Sequence, residues 1–267
     1  MIKLIATDMD GTLLDQAGNI PINFFKTLNQ LKKKDIHLVI ASGRSYSDLK
    51  PFFEPFSDQL DFICDNGAYV ISQYLEPQFS LIPKSQIQHI LNLCKQIPDI
   101  KVILSGPNGM YATPCTPKFE TILARYFLNI TVVDDLSVVT DPIHRLCICD
   151  LNNPKTNSFP ILSNALSDLF RVTVSGEIWL DVTNLNVNKG VALAQLQKRL
   201  DIKKDQTMAF GDYYNDIEML RQAKYSFVMA NANPDMFTYG SYKAKSHEEN
   251  GVLEAIHEYV LSSKKVK

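Results

Sequence analysis

Apolar runs as long as a β-strand alternate with helix-spaced apolar positions at both ends of this 267-residue chain. Residues 2–7 read as a first strand. Phe24, Phe25, Leu28 and Leu31 then recur at helical spacing, which puts one apolar face on a helix over 23–33, and residues 38–41 make a second strand. A short helix from Ser45 and a third strand at 62–64 follow. The rhythm resumes towards the C-terminus with a helix over 189–200, a strand at 207–210, a helix over 215–223, a strand at 226–229 and a closing helix over 252–261. Strands separated by single helices predict a parallel sheet covered on both faces, a doubly wound α/β arrangement. Between the two halves the texture changes. Residues 83–186 carry more prolines, β-branched runs at 101–104, 131–133, 171–175 and 177–182, and a few helix-like stretches. This segment is expected to be an α+β domain inserted into the first, giving a core of 1–82 and 187–267 around an insert of 83–186. Hinges are expected at 81–84 and 184–188, where helix-breaking and polar residues collect.

Composition is that of an ordinary globular protein, with 45% hydrophobic and 21% charged residues, enough apolar surface for a substantial core. The formal net charge of −2 disfavours a partner held by phosphate-backbone electrostatics, so no nucleic-acid partner is expected. The opening apolar run is too short for a secretory signal or a membrane span, which predicts a cytoplasmic protein without a membrane partner. Its five cysteines, Cys64, Cys94, Cys115, Cys147 and Cys149, form no Cys-x-x-Cys step and suit a reducing compartment. Cys147 and Cys149 alternate along an apolar stretch and read as buried thiols rather than metal ligands. Asn129-Ile130-Thr131 matches a glycosylation acceptor, which means little without secretion, and the basic tail Lys264–Lys267 reads as a solvated, frayed end.

Candidate chemistry lies at strand ends. Asp8 and Asp10 directly follow the first strand and precede Gly11 and Thr12. Two carboxylates placed together repel unless a cation lies near, and a hard divalent ion such as Mg²⁺ answers that need. Alone, Asp10-Gly11 is equally ordinary turn chemistry. A second acid cluster, Gly211-Asp212-Tyr213-Tyr214-Asn215-Asp216, follows the strand at 207–210, although Asn215 or Asp216 would serve also as a helix cap. Ligand sites in open α/β sheets form at this end of the strands. Ser42 and Gly43, after the second strand, offer a hydroxyl and an unobstructed backbone amide, groups that hold a phosphate oxygen. Lys189 begins a helix and opposes its dipole, a placement that a phosphate partner explains.

In order along the chain, Asp8-Met9-Asp10-Gly11-Thr12, Ser42-Gly43, Lys189-Gly190 and Gly211-Asp212-Tyr213-Tyr214-Asn215-Asp216 resemble the four motifs of the haloacid dehalogenase superfamily. The insertion point after the third strand, the size of the insert and the segment Asp65-Asn66-Gly67-Ala68 resemble its Cof-type subgroup (type IIB), whose Rossmann-like core carries a large α+β cap. The resemblance spans essentially the whole length. Tyr213 departs from it, because many relatives carry Asn, Gly or Gln there, and is expected to alter pocket shape.

The resemblance implies a phosphatase. Asp8 would attack phosphorus and become an aspartyl-phosphate, while Asp10 would protonate the leaving oxygen and later deprotonate water. Mg²⁺ would be held by the Asp8 carboxylate, the Asp10 carbonyl and Asp212, with Thr12 and Asp216 supporting that shell. Phosphate oxygens would meet the Met9 amide, Ser42, Gly43, Lys189 and Asn215. The insert would act as a lid that recognises the leaving group. Arg44, Tyr46, Asn66, Glu177 and Trp179 are candidate contacts, although Trp179 alternates with Ile178 and Leu180 and reads first as packing. The implied substrate is a small phosphorylated metabolite, either a sugar phosphate or a phosphorylated cofactor of flavin or pyridoxal type, acted on by a monomer or weak homodimer. Two rivals share the strand-end aspartate: a phosphomutase using the same intermediate, and a non-catalytic phosphoacceptor or binding protein. The second has no use for an acid at Asp10 or for a lid of this size.

Overall fold

The computed structural model describes residues 1–127 and 130–262; Asn129 of the glycosylation-like tripeptide and the tail Lys264–Lys267 lie outside them. Two compact units result, one of Met1–Arg44, Lys50–Pro77 and Asn188–Lys267, the other of Ser45–Leu49 and Gln78–Val187.

The first unit starts with β1 (Leu4–Thr7), whose four residues are all buried. A central strand covered on both faces must be apolar on both, which is why it reads as a run rather than an alternation. Helix α1 (Phe24–Lys32) buries Phe24, Leu28 and Leu31. Phe25 sits at the margin of that face and packs its ring on Phe56 at 4.9 Å. Strands β2 (His37–Ala41) and β3 (Asp61–Cys64) join in parallel, with helix α2 (Tyr46–Phe53) between them. The chain then turns into antiparallel β4 (Tyr69–Ser72) and on to β5 (Leu75–Phe79) at the sheet edge. Neither was anticipated from the pattern. Pro77 and Glu76 inside β5 mask it, and an edge strand tolerates such residues because part of its backbone faces no partner.

The second unit is built of α3 (Lys84–Cys94), β6 (Ile100–Gly106), β7 (Gly109–Ala112), α4 (Pro117–Tyr126), β8 (Ile130–Val132), β9 (Arg145–Asp150), α5 (Ser158–Leu166), β10 (Phe170–Val174) and β11 (Trp179–Asn184). Its sheet runs β10-β11-β9-β6-β7-β8 and is antiparallel except between β7 and β8. Leu104, Leu146, Ile148, Leu180 and Val182 pack with Ile90 of α3 and Leu162 of α5, while Ile103, Met110, Cys147 and Cys149 pack with Phe119 and Leu123 of α4. None of the five cysteines is in a disulfide, and burial pushes the thiols of Cys94 and Cys149 each up to about 12. Trp179 is buried and meets the rings of Tyr126 at 5.0 Å and Phe127 at 5.4 Å, so its role is packing. Glu177 is exposed in the β10–β11 turn, and Tyr46 is half-buried at the start of α2.

The chain re-enters the first unit through α6 (Lys189–Arg199), β12 (Thr207–Gly211), α7 (Ile217–Leu220), β13 (Tyr225–Met229), β14 (Tyr242–Ala244) and α8 (Gly251–Ile256). The helix expected over 215–223 is instead a 3₁₀ turn, Tyr214–Asp216, followed by one α-turn. The Asp216 carboxylate draws back onto backbone N–H groups of this loop, which tightens it. The closing helix continues past α8 as a π-helical turn, His257–Leu261. No helix among the described residues is long and apolar enough to cross a membrane.

In the eight-stranded sheet, β14-β13-β12-β1-β2-β3-β4-β5, β1 is the point from which successive strands depart in opposite directions. Ligands bind beyond the carboxyl ends of strands at such a switch point. Thr7 is in register with both Ile40 and Phe210, so the segments after β1, β2 and β12 emerge side by side.

Candidate active site

Asp8 continues the ladder one residue past β1, donating its N–H to Phe210 O at 3.0 Å. Met9 O then accepts from the N–H groups of Leu13 and Leu14, which curls the chain over the strand end. Gly11 takes φ +80°, and a Cβ there would lie 2.4 Å from Asp212 Oδ2. Only glycine accommodates both that backbone and that approach. Thr12 Oγ1 donates to Asp212 Oδ1 at 2.9 Å, locking the loops after β1 and β12 together. Gly11→Ala is therefore expected to cost about 1–3 kcal/mol of stability and to weaken cation binding, measurable by thermal unfolding with and without Mg²⁺. Wild-type melting and an unchanged Mg²⁺ response would show that the loops have slack.

Lys189 stands at the centre. The α6 N-terminus is capped by Asn188 Oδ1, which accepts from Val191 N–H at 2.8 Å. The Lys189 side chain is fully buried and donates to Asp8 Oδ1 at 2.5 Å and Asp216 Oδ1 at 2.7 Å. Its charge, unfavourable at a helix start, is thus answered by carboxylates of the protein itself. Asp216 Oδ2 accepts from the N–H groups of Asp212 and Tyr213 at 3.1 and 3.2 Å, so both of its oxygens are engaged.

Carboxylate oxygens of Asp8, Asp212 and Asp216 all lie within 4.8 Å of one another. Burial first, then Asp216 and Asp212, raises the Asp8 carboxyl well above the usual carboxylate range, against the pull of Lys189. Asp212 is likewise raised by burial and by Asp216, against the Thr12 hydrogen bond and Lys189. Burial pulls Lys189 down, but Asp216 and Asp8 together outweigh it and hold the ammonium above its ordinary value. Three acids against one ammonium leave unbalanced negative charge made of hard oxygen donors, a set that fits Mg²⁺. Because Lys189 and two amides already occupy Asp216, the carboxylates left to a cation are Asp8 and Asp212.

The Asp10 carboxylate is elsewhere. Arg44 grips it in a two-pronged pair, Nε to Oδ2 at 2.9 Å and Nη2 to Oδ1 at 2.5 Å. Arg44, read from the sequence as a substrate contact, here holds the expected acid. Ser42 is buried, and its Oγ accepts from Arg44 N–H at 3.1 Å. Asn66, at φ +54°, accepts on Oδ1 from Asn215 Nδ2 at 3.1 Å. Its amide group also lies over Gly43, where a Cβ would come within 3.1 Å of it. Asn66 therefore ties together the segments after β2, β3 and β12. Two further braces have no signal in the linear pattern: Asn231 Nδ2 donates to Gly11 O at 2.8 Å, and His247 Nδ1 lies 2.8 Å from Leu14 O. They reach the Asp8 loop from more than 200 residues away.

Known proteins share this architecture. The family model for haloacid dehalogenase-like hydrolases matches residues 5–256. The chain is 31% identical over 259 residues, 96% of this chain and 95% of the other, to the 5-amino-6-(5-phospho-D-ribitylamino)uracil phosphatase of Escherichia coli strain K12. It is 26% identical over 240 residues, 88% and 87% of the two chains, to the HMP-PP phosphatase of Citrobacter koseri. A solved structure from Streptococcus mutans UA159 superposes with a TM-score of 0.86 at 33% identity, covering 98% of this chain and 100% of that one. The chain belongs to the haloacid dehalogenase-like hydrolases, in their Cof-type branch, and is an enzyme of the phosphatase class.

Proposed function

We propose that this protein is a Mg²⁺-dependent phosphatase that hydrolyses a small phosphorylated metabolite through an aspartyl-phosphate on Asp8. The observation that carries the reading is the Lys189 ammonium bonded to Asp8 and Asp216 at the sheet's switch point, with Asp212 completing the acid cluster. Lys189 takes Asp8 Oδ1, which leaves Oδ2 to attack phosphorus in line with the leaving oxygen. Mg²⁺ on Asp8, Asp212 and the Asp10 carbonyl would supply positive charge against the phosphoryl oxygens and against the carboxylates themselves. Ser42, Gly43, Asn215, Lys189 and the Met9 amide would hold the phosphoryl group, while Thr12 and Asp216 fix the acids from behind. Asp10, released from Arg44, would give its proton to the leaving oxygen and then take one from the water that opens the aspartyl-phosphate. Uncatalysed phosphate-monoester hydrolysis is slow enough that enzymes accelerate it by up to about 10²¹-fold, so acid, nucleophile and charge must act together.

Domain roles follow: 1–82 and 187–267 would carry the reaction, and 83–186 would select the leaving group. Sugar phosphates and phosphorylated cofactors or their precursors are the substrate class, and the name of the Escherichia coli relative, a phosphoribityl-aminouracil phosphatase, supports the latter. Cysteines without disulfides suit a cytoplasmic enzyme, taken here as a monomer or weak homodimer without nucleic-acid or membrane partners. The test is phosphate release by the purified protein in Mg²⁺ across glucose 6-phosphate, FMN, pyridoxal 5′-phosphate and similar metabolites. Release from none of them, or transfer that needs a bisphosphate activator, overturns the reading. Asp10→Asn is expected to slow turnover by about 10²–10⁴-fold and to let phosphorylated protein accumulate, seen by intact mass; an unchanged rate removes its acid–base role.

A further inference from the structure

We propose that Tyr213 and Tyr214 form an aromatic notch beside the catalytic centre that receives a planar, unsaturated ring of the leaving group, so that the preferred substrates are phosphorylated heteroaromatic compounds rather than plain sugar phosphates. The inference rests on the phosphatase reading above and narrows it.

Tyr213 directly follows Asp212, yet the residue is 56% exposed, and Tyr214 is 43% exposed. Two large rings left in water next to a buried acid cluster serve no packing purpose in the core. Their rings meet edge-on, with centroids 4.9 Å apart and planes at 63°. An edge-on pair covers at most one face of one ring and leaves the other faces open. The Tyr214 ring is tethered through its hydroxyl, and the Tyr213 backbone is fixed on both sides. The Tyr214 hydroxyl donates to Asp235 Oδ2 at 2.8 Å, Tyr213 N–H donates to Asp216 Oδ2, and Asp216 N–H returns to Tyr213 O at 3.0 Å. A guest ring therefore finds one partner ring, Tyr214, already tethered and the other on a fixed backbone, which lowers the entropy cost of ordering them. The corner offers one ring a face and an edge together, the two geometries that aromatic quadrupoles favour. A saturated, hydroxylated ring has no π-system to match the two rings, and Asp235 Oδ2 at this corner already accepts from the Tyr214 hydroxyl.

The experiment compares kcat/KM for pyridoxine 5′-phosphate and glucose 6-phosphate in wild type, Tyr213→Ala and Tyr213→Phe. Pyridoxine phosphate is chosen because it lacks the aldehyde that reacts with lysines. Stacking of this kind predicts that Tyr213→Ala lowers the ratio of the two by about tenfold, while Tyr213→Phe keeps it within about twofold. The ratio is insensitive to any general loss of folded protein. A ratio unmoved by Tyr213→Ala overturns the notch, as does equal loss in Tyr213→Phe. Calorimetric binding of pyridoxine 5′-phosphate to Asp8→Asn and Asp8→Asn/Tyr213→Ala separates the two readings. Affinity that depends on Tyr213 without turnover by the wild type upholds the notch and sinks the phosphatase; turnover of both phosphates with no Tyr213 dependence does the reverse.

Discussion

Asp8→Asn should lower phosphate release from p-nitrophenyl phosphate in Mg²⁺ by at least about 10⁴-fold, because the proposed nucleophile and part of the proposed cation site go together. The same variant should not be less stable than the parent in EDTA near neutral pH. Asp8 is raised above its ordinary value of 3.8 by burial and by its acid neighbours, so the folded state binds that proton more tightly than the unfolded chain. Stability contributed by this group is then present at low pH and falls as pH rises from the unfolded value through the folded one. Asp212 shifts in the same direction and adds to the trend. Thermal unfolding of metal-free wild type and Asp8→Asn over about pH 5–8 should show the wild type losing ground as pH rises, and Mg²⁺ restoring it. Activity near that of the parent sinks the nucleophile assignment. A variant melting lower at every pH would mean that the bond to Lys189 outweighs the repulsion.

Lys189→Met should be the most damaging change to folding. It removes the ammonium that bonds Asp8 and Asp216 and leaves both carboxylates buried without it. Breaking a buried pair in this way costs about 3–5 kcal/mol, equivalent in a chain of this size to a fall of roughly 6–20 °C in Tm. Turnover by the fraction that folds should drop by about 10²–10³-fold, since the donor proposed for the phosphoryl oxygens is lost as well. Lys189→Arg should rescue neither property, because the longer planar guanidinium has no room in a fully buried slot. Denaturant unfolding checks the first effect and steady-state kinetics the second. A loss below about 1 kcal/mol would show that the acids are protonated in the resting protein and need no partner.

Most of the first unit was legible because its strands are central. A strand buried on both faces is an unbroken apolar run, and four such runs end on Asp8, Ser42, Asp65 and Asp212. The edges were not legible: β5 and β14 are short, partly solvated and interrupted by Glu76 and Pro77 in the first and Lys243 in the second, so tertiary pairing rather than pattern makes them strands. The helix over 215–223 is shortened to Ile217–Leu220 for a local reason, the competing bonds from Asp216 to the backbone behind it.

From residue order alone came the kinds of group present and their placement at the carboxyl ends of strands, since strand period and adjacency are one-dimensional properties. Which group meets which was settled only in three dimensions. Parallel strands bring Asp8 and Asp212 together across 200 residues, and the angle at which α6 enters aims Lys189 between Asp8 and Asp216. The same geometry turns Asp10 out to Arg44, sets Asn66 against Asn215 and leaves the Tyr213 ring open to solvent. Such pairings depend on packing and on competition for hydrogen bonds among residues distant in sequence, and no periodicity along the chain records them.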